Sequence, residues 1–338
     1  MVSSLINALP KAELHIHVEG TLEPVLMMSL ARNNNVSIPY NSIDEIKNAY
    51  RFKNLEDFLR LYYSGLRVLK DEDDFYILTM NYLKRASENN VRHVELSFDP
   101  QAHTRRGVRF EEVIEGIHSA LKDGERKYGI SWVIILSILR DLSVEDALHT
   151  LSRAEEYKDI IDAIGLDSAE VGNPPSKFKK VFEKAKTSGF HLVAHAGEEG
   201  PPSYIKEAID LGVERIDHGV RAIEDETLMK MLGRMRIAFT LCPLSNLKLN
   251  VVKSLKNYPI REFSKVGIRV TINSDDPAYF GGYINKNYEE VAKALNLKPK
   301  EIIEIARNSI IASFASDERK REILREINDV EKNYFESA

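Results

Sequence analysis

The sequence predicts an α/β protein whose strands and helices alternate and close into a (β/α)8 barrel, and three observations carry this prediction. Short β-branched segments recur along the 338 residues. Segments with helical periodicity lie between most of them. Polar residues with catalytic or metal-binding chemistry follow the strands, at the same end of nearly every one. In a parallel barrel these strand ends meet on one face, which is where an active site is expected.

Eight segments have the composition of a buried strand and end in polar or glycine-containing sequence. In chain order they are "ELHIHVEG", "VRHVELSFDP", "ISWVIILSIL", "DIIDAIGLDS", "FHLVAHAGEE", "ERIDHGV", "IAFTLCPLSN" and "IRVTINSDDP". Segments between them, such as "FEEVIEGIHSALKDGERKYG", "PSKFKKVFEKAKTSG" and "PSYIKEAIDLG", repeat apolar residues at helical spacing and end on glycine. Such units pair in parallel through right-handed crossovers.

The chain is longer than the roughly 250 residues that a barrel of this kind typically needs. Between Glu23 and about Asn90 the pattern is helical without a good strand, which predicts extra helices inserted after the first strand. The charged segment from Pro299 to Phe335 predicts further helices on the outside of the barrel. Because no Gly/Ser linker, repeat or low-complexity tract interrupts the chain, we expect a single domain over residues 1–338.

Composition excludes several classes of protein. The formal net charge is −5, and acidic and basic residues are interspersed, so nucleic acid is not an expected partner. The one cysteine, Cys242, forms no internal disulfide, and apolar runs such as "WVIIL" are too short to span a membrane. The first residues lack the basic and long apolar regions of a signal peptide. We therefore expect a soluble cytoplasmic protein.

Four residues at strand ends have the chemistry of a metal site. His15 and His17 alternate on strand one and therefore point to the same side, while His195 ends strand five and Asp275 follows strand eight. Three imidazoles and one carboxylate suit a divalent transition metal, with zinc the first choice and Fe²⁺ or Mn²⁺ as alternatives. A coordination position left for water makes such a site catalytic, because the metal lowers the pKa of that water to about 7.

The blocks "ELHIHVEGTLE", "VAHAGEEGPP", "RIDHGV", "LCPLSN" and "VTINSDDPAYFGGY" resemble the signature blocks of the adenosine and adenine deaminase family, within the amidohydrolase superfamily. The resemblance covers nearly the whole chain. It implies a (β/α)8 barrel with one zinc ion that removes the 6-amino group of a purine by hydrolysis. The metal ligands that it implies are His15, His17, His195 and Asp275.

The resemblance also implies roles for the residues around the metal. Glu198 would donate a proton to the purine N1, where negative charge develops, and burial would keep this acid neutral. His218 would lie beside the metal-bound water and either accept its proton or stabilise the hydroxide by its charge. Asp275 would orient the water as well as bind the metal. Asp276, in its protonated form, would donate to N7.

Two departures from the nucleoside enzymes favour adenine as the substrate. Adenosine deaminases usually carry an aspartate associated with the ribose where this chain has Glu19. Glu170 stands roughly where those enzymes place a glycine, and its carboxylate could accept a hydrogen bond from N9–H, which adenosine lacks. The prediction is therefore conversion of adenine to hypoxanthine and ammonia, a step of purine salvage. The alternatives are deamination of adenosine or of an N6-substituted adenine, and a catalytically silent purine-binding barrel.

The other histidines have simpler interpretations. His103 follows strand two on the active face and could either reach the pocket or pack beside it. Structural roles are expected for the histidines at strand starts and in helices, which are His93, His191, His118 and His149. Cys242 is expected to be a small buried residue.

Overall fold

The computed structural model describes residues 2–336, in which eight parallel strands form one sheet in chain order. The strands are β1 (Lys11–His17), β2 (Val91–Phe98), β3 (Ser131–Leu139), β4 (Ala163–Asp167), β5 (His191–Ala196), β6 (Arg215–His218), β7 (Ala238–Leu241) and β8 (Arg269–Ile272). Seven of them lie within the predicted segments, and β1 begins two residues before its segment, at Lys11. The last strand returns to the first through a parallel bridge between Ile16 and Asp275, which closes the barrel. The predicted (β/α)8 fold is confirmed.

Helices follow the strands and cover the outside of the barrel. Within the described residues they are α1 (Val2–Ala8), α2 (Pro24–Asn33), α3 (Ile43–Ala49), α4 (Leu55–Gly65), α5 (Glu72–Glu88), α6 (Pro100–Thr104), α7 (Phe110–Tyr128), α8 (Val144–Glu156), α9 (Lys179–Thr187), α10 (Pro202–Asp210), α11 (Glu226–Met235), α12 (Pro243–Lys248), α13 (Ile260–Val266), α14 (Pro277–Phe280), α15 (Ile284–Leu295), α16 (Pro299–Ile311) and α17 (Asp317–Glu336).

Helix α7 illustrates how the sequence specifies these elements. Its apolar residues recur at helical spacing and are buried, and acidic residues occupy its first turn, where they favour the helix dipole. It ends at Gly129, which has a φ of 68° and so adopts the left-handed conformation of a helix C-terminus. Gly116 lies where α7 contacts α5, and a Cβ there would come within 2.4 Å of the carbonyl oxygen of Glu72. Only glycine allows this close approach.

The predicted insertion after the first strand is also confirmed, because α2 to α5 all lie between β1 and β2. Side chains cap the N-termini of three of these helices: Ser42, Asn54 and Asp71 each accept a hydrogen bond from a backbone N–H in the first turn. Helix α4 lies over the carboxyl end of the barrel, since its residues line the cavity there together with Asp275.

At the carboxyl end of the chain, α16 packs against β1 and β8 and α17 packs against α16, as the sequence predicted. Over residues 2–336, no helix combines the length and the apolar character that crossing a membrane requires.

Candidate functional site

The four predicted metal ligands lie together at the carboxyl end of the barrel. The Nε2 atoms of His15 and His17 are 3.2 Å and 3.4 Å from Oδ1 of Asp275. The Nε2 atoms of His17 and His195 are 3.3 Å apart. All four side chains are buried, and one ligand atom from each lies within 4.8 Å of the others. Residues from β1, β5 and the segment after β8 are thus brought to one point.

The outer nitrogen of each imidazole faces an oxygen, which leaves Nε2 directed at the centre of the cluster. The Thr240 hydroxyl donates to Asp217 at 2.7 Å, so it accepts from Nδ1 of His15 at 3.0 Å. Asp217 also lies 3.7 Å from Nδ1 of His195, and Asp167 lies 3.5 Å from Nδ1 of His17. Of these contacts, the one between His15 and Thr240 is a hydrogen bond, and hydrogen bonds of this kind orient the rings of metal-binding histidines. Three such nitrogens and a carboxylate fit a divalent metal ion.

Strained backbone conformations occur at this site, among them those of Asp275 and His218. Asp275 has a φ of 63° and His218 a φ of 65°, both in the left-handed region that residues with a side chain rarely adopt. Such conformations typically cost about 1–3 kcal/mol and persist where the surroundings impose them. For Asp275 the surroundings are backbone hydrogen bonds to His15 and His17 and, one residue earlier, a hydrogen bond from Ser274 N–H to Glu13 at 3.1 Å.

Glu198 lines the cavity beside the metal cluster, as predicted, and is 3% exposed. Burial, and after it the charge of Asp275, raises the pKa of Glu198 well above its usual range, with smaller contributions from Glu170 and Glu199. Its Oε1 atom is buried and makes no hydrogen bond within the described residues. This shift favours the protonated carboxyl group, which is the form that can act as a proton donor.

His218 lies between the acid and the cluster, with Nε2 at 3.5 Å from Glu198 and 3.8 Å from Asp275. Its other nitrogen, Nδ1, faces the amide nitrogen of Asn246 at 3.2 Å. The Asn246 oxygen accepts from the Tyr258 hydroxyl at 2.7 Å, so its NH₂ group is the one that donates to His218. Burial lowers the pKa of His218 to about 3. The neutral ring therefore carries its proton on Nε2.

Asp276 also lines the cavity, and its Oδ1 atom is buried without a hydrogen-bond partner among the described residues. Burial and the charge of Asp275 raise its pKa well above the usual value, in agreement with the protonated donor expected from the sequence. Gly20 makes room for it, because a Cβ at that position would lie 2.0 Å from Asp276 Oδ1. The glycine that ends "ELHIHVEG" is explained by this contact.

Glu170 lies in a different place from the one that the sequence suggested. It is absent from the cavity lining, and both of its carboxylate oxygens accept hydrogen bonds from backbone N–H groups of residues 197–200. The predicted contact with N9–H would require an oxygen that faces the cavity. The geometry therefore argues against that contact and gives Glu170 a different set of partners.

Glu19 and His103 form one buried pair. Glu19 Oε1 lies 2.8 Å from Nε2 of His103 and accepts the backbone N–H of Asp99 at 3.0 Å, while Arg106 donates to the other side of the ring. Neither Glu19 nor His103 lines the cavity. Of the two alternatives for His103, the structure supports packing beside the pocket.

Sequence reasoning missed the walls of the cavity. Helix α4 contributes Phe58 and Tyr62, one turn apart on one face, together with Leu55, Leu59 and Tyr63. The recurrence of aromatic and leucine side chains in "LEDFLRLYYSG" is the signal that could have identified them, although such a stripe is equally typical of a core helix. These side chains give the cavity an apolar, aromatic wall opposite the polar cluster, which is what a planar heterocycle requires.

Two further carboxylates that follow strands also reach the cavity. Asp99 and Asp167 both line the cavity, and three of their four oxygens are buried without a hydrogen-bond partner in the described part of the chain. Burial, and then the charge of Asp167, raises the pKa of Asp99 well above its usual range. Among the residues expected to be structural, Cys242 is buried and His191 pairs at the surface with Glu214 at 2.9 Å.

Comparison with known proteins gives consistent matches over the whole chain. A family model described as adenosine deaminase matches residues 10–330. An adenine deaminase of Acinetobacter baylyi is 54% identical over 329 residues, which cover 97% of this chain and 99% of that protein. The crystal structure of an adenine deaminase from Arthrobacter aurescens has a TM-score of 0.94 and 47% identity, covering 96% of this chain and 99% of the other. An amidohydrolase from Burkholderia ambifaria with bound Zn has a TM-score of 0.89 and 24% identity, covering 98% and 94%.

Proposed function

Because this chain belongs to the adenosine deaminase family, we propose that it hydrolyses adenine to hypoxanthine and ammonia, as in purine salvage. The relatives that match over nearly their full length carry the name adenine deaminase. The observation that carries the proposal is the buried Glu198, which lies in one cavity with the His/Asp cluster and Asp276 and whose raised pKa favours the protonated form. A proton donor, a metal site and a second neutral carboxyl group are the parts that this reaction needs.

The resident metal is proposed to be zinc, held by His15, His17, His195 and Asp275. The donor set of three nitrogens and one oxygen supports this choice, and the metal supplies a water of lowered pKa as nucleophile. Zinc bound to the related fold of the Burkholderia ambifaria protein is consistent with it.

Each residue around the cluster would contact a different atom of the reacting purine or of the attacking water. Glu198 holds a proton for N1, so that addition to C6 places no full negative charge on the ring. Asp276 donates to N7 through its own proton, which leaves N7 paired in a buried site. The Nε2–H of His218 points at the region between Glu198 and Asp275, so it would hold the attacking oxygen by hydrogen bonding rather than remove its proton.

The free base is favoured over the nucleoside by the orientation of Glu19. Its bonded oxygen is held by His103 and the Asp99 N–H, and the side chain lies outside the cavity lining, so it offers no contact to a ribose. The aromatic wall from α4 provides the apolar contact that a planar base needs.

The test is formation of the 6-oxo product by the zinc-loaded protein, measured in parallel: hypoxanthine from adenine and from N6-methyladenine, which releases methylamine instead of ammonia, and inosine from adenosine. We expect kcat/KM for adenine to exceed the other two clearly. A preference for adenosine or for the N6-substituted base would replace the proposed substrate by that alternative. Binding of adenine without release of ammonia, with zinc content at one per chain, would identify a silent purine-binding barrel.

A further inference from the structure

We propose that Glu170 is a positioning residue, which holds the loop that carries the catalytic acid. This inference rests on the proposed function in one respect, namely the role of Glu198 as proton donor. Glu170 follows β4, whereas the loop of residues 197–200 follows β5, so the contact joins two neighbouring units of the barrel.

Four consecutive backbone N–H groups converge on this one carboxylate. Oε1 accepts from Gly197 at 2.6 Å. Oε2 accepts from Glu198, Glu199 and Gly200 at 3.0, 2.8 and 2.8 Å. Successive N–H groups that face the same point form an anion-binding concavity of the kind that loops otherwise offer to phosphate. Here the anion is a side chain of the same chain, and it is 1% exposed.

The two glycines of the loop are needed for this arrangement. Gly197 has a φ of 69°, in the left-handed region, which turns the chain sharply after β5. A Cβ at Gly200 would lie 2.6 Å from the carboxyl carbon of Glu170 and would displace it. The sequence "HAGEEG" therefore provides a loop shaped to receive a carboxylate, with Glu198 in the middle of it.

Arg140 provides a second buried contact to this segment. Its guanidinium donates to the carbonyl oxygen of His195 at 2.7 Å and to that of Asn173 at 2.8 Å. Two buried side chains of opposite charge thus hold this segment. Arg140 binds the carbonyl group of the predicted ligand His195, and Glu170 binds the N–H groups of the loop that follows. Through these two contacts, the direction of Glu198 is coupled to the position of the metal cluster.

The same carboxylate favours the protonated form of the acid. Its negative charge is one of the contributions that raise the pKa of Glu198. Glu198 is faced by the carboxylates of Asp275, Glu170 and Glu199, by Arg140 and by His218. Of these groups, Glu170 also binds the peptide N–H groups on both sides of Glu198. It therefore affects both the position of the Glu198 side chain and the pKa of its carboxyl group.

The experiment replaces Glu170 by Gln and by Asp in the zinc-loaded protein. Gln puts an NH₂ group against N–H donors, whereas Asp keeps the charge on a shorter side chain. We expect kcat for adenine to fall about 100-fold in Glu170→Gln, as for a misplaced catalytic group, with KM and zinc content nearly unchanged. Glu170→Asp should retain more activity. The alkaline limb of kcat should move to lower pH in Glu170→Gln.

Glu207→Gln is the matched control, because Glu207 also accepts a backbone N–H, that of Ser176 at 3.1 Å, but on the outside of the barrel. It should leave kcat unchanged. Amide hydrogen exchange of residues 197–200 provides a readout that does not depend on activity. We expect faster exchange there in Glu170→Gln and wild-type exchange in the control. This separates the two proposals, since an inactive wild type would refute adenine deamination while the exchange data would still decide on the anchor.

Three results would overturn the inference. One is wild-type kcat with unchanged exchange in Glu170→Gln. Another is a raised KM with unchanged kcat, which would return Glu170 to contact with the purine. If Glu170→Gln does not fold, Gly200→Ala takes its place, since its Cβ pushes the carboxylate away. Wild-type kcat in zinc-loaded Gly200→Ala would be the third.

Discussion

The two ends of the barrel differ in whether their buried carboxyl groups have a close partner of opposite charge. At the amino end, Glu95 of β2 pairs with Arg215 of β6 at 2.7 Å, and Arg215 stacks on Phe314 at 4.8 Å. Burial raises the pKa of Glu95, but the charge of Arg215 together with the contacts from His93 and the Phe314 N–H outweighs it and lowers this pKa to about 2. At the carboxyl end, Glu198 and Asp276 are buried without an opposite charge strong enough to offset burial, which raises the pKa of both.

This difference separates a structural cluster from a functional one. A buried charge with a close opposite partner is stabilised in the folded protein itself. A buried carboxyl group without one destabilises the fold unless it is protonated or meets a ligand, and such groups concentrate at active sites. The charges compared at the amino end therefore find their partners within the chain, whereas the groups at the carboxyl end need a metal ion and a substrate as partners.

Removal of the metal should have the largest effect, and it should act at the carboxyl end alone. Chelation followed by gel filtration is expected to abolish ammonia release, because the proposed nucleophile is a water whose pKa the metal lowers. Addition of one equivalent of Zn²⁺ should restore it, measured as recovery of kcat against bound metal. Full activity in metal-free protein would contradict the proposed site.

Replacement of Glu198 by Gln should cause the second-largest loss of activity. General acid–base catalysis typically contributes a factor of about 10² to 10⁴, and we expect a loss of kcat in that range. Stability should not fall, because a neutral amide replaces a neutral acid. Steady-state kinetics and thermal unfolding of the zinc-loaded variant test both expectations. A loss of less than about tenfold would place the proton donor elsewhere.

Glu95→Gln tests the amino end. In contrast to Glu198→Gln, it should lower the stability of the protein and leave kcat unchanged. It removes the closer carboxylate from buried Arg215 and leaves only Asp217, at 3.8 Å; breaking a buried ion pair typically costs about 3–5 kcal/mol of unfolding free energy. The kcat per zinc-loaded molecule should stay at the wild-type value. Because the folded pKa of Glu95 is lowered, its stabilisation is present above the unfolded pKa of 4.5 and is lost as pH falls to about 2. Denaturant unfolding at pH 7 and over this acid range should show the difference between wild type and variant.

The pH dependence of kcat should show the smallest change. Glu198 acts in its protonated form and has a raised pKa, so kcat should be constant below that pKa and fall as pH rises through it. The residual activity of Glu198→Gln should lack this alkaline limb. The control is zinc content across the same pH range, since loss of metal at high pH would produce a similar fall.

The elements and the ligand cluster could be predicted because their information is local. A buried strand is recognised in the sequence as a short apolar segment. A polar residue just past the end of such a strand must lie on the carboxyl face of a parallel barrel. His15, His195 and Asp275 are far apart in sequence, but each carries this position in its own segment. The insertion after β1 was visible for the same reason, as a long stretch without a strand.

The support of the site could not be predicted in this way. Glu170 also follows a strand, and its position suggested a purine contact, yet its side chain turns toward the backbone of the next loop. Likewise the Asn246–Tyr258 contact that orients His218 joins two segments whose spacing in sequence carries no signal of its own. The direction of a side chain past a strand end depends on which neighbouring groups need a partner.

By itself, the sequence determined the barrel, its two helical additions and the set of residues that meet at its carboxyl end, because chain connectivity and hydrophobic periodicity are sufficient for these. Only the tertiary structure decided which of those residues face the cavity and which hold the others in place. The physical reason is that burial obliges every polar group to find a partner, and the partners of Glu170, Glu19 and His218 come from other units of the barrel.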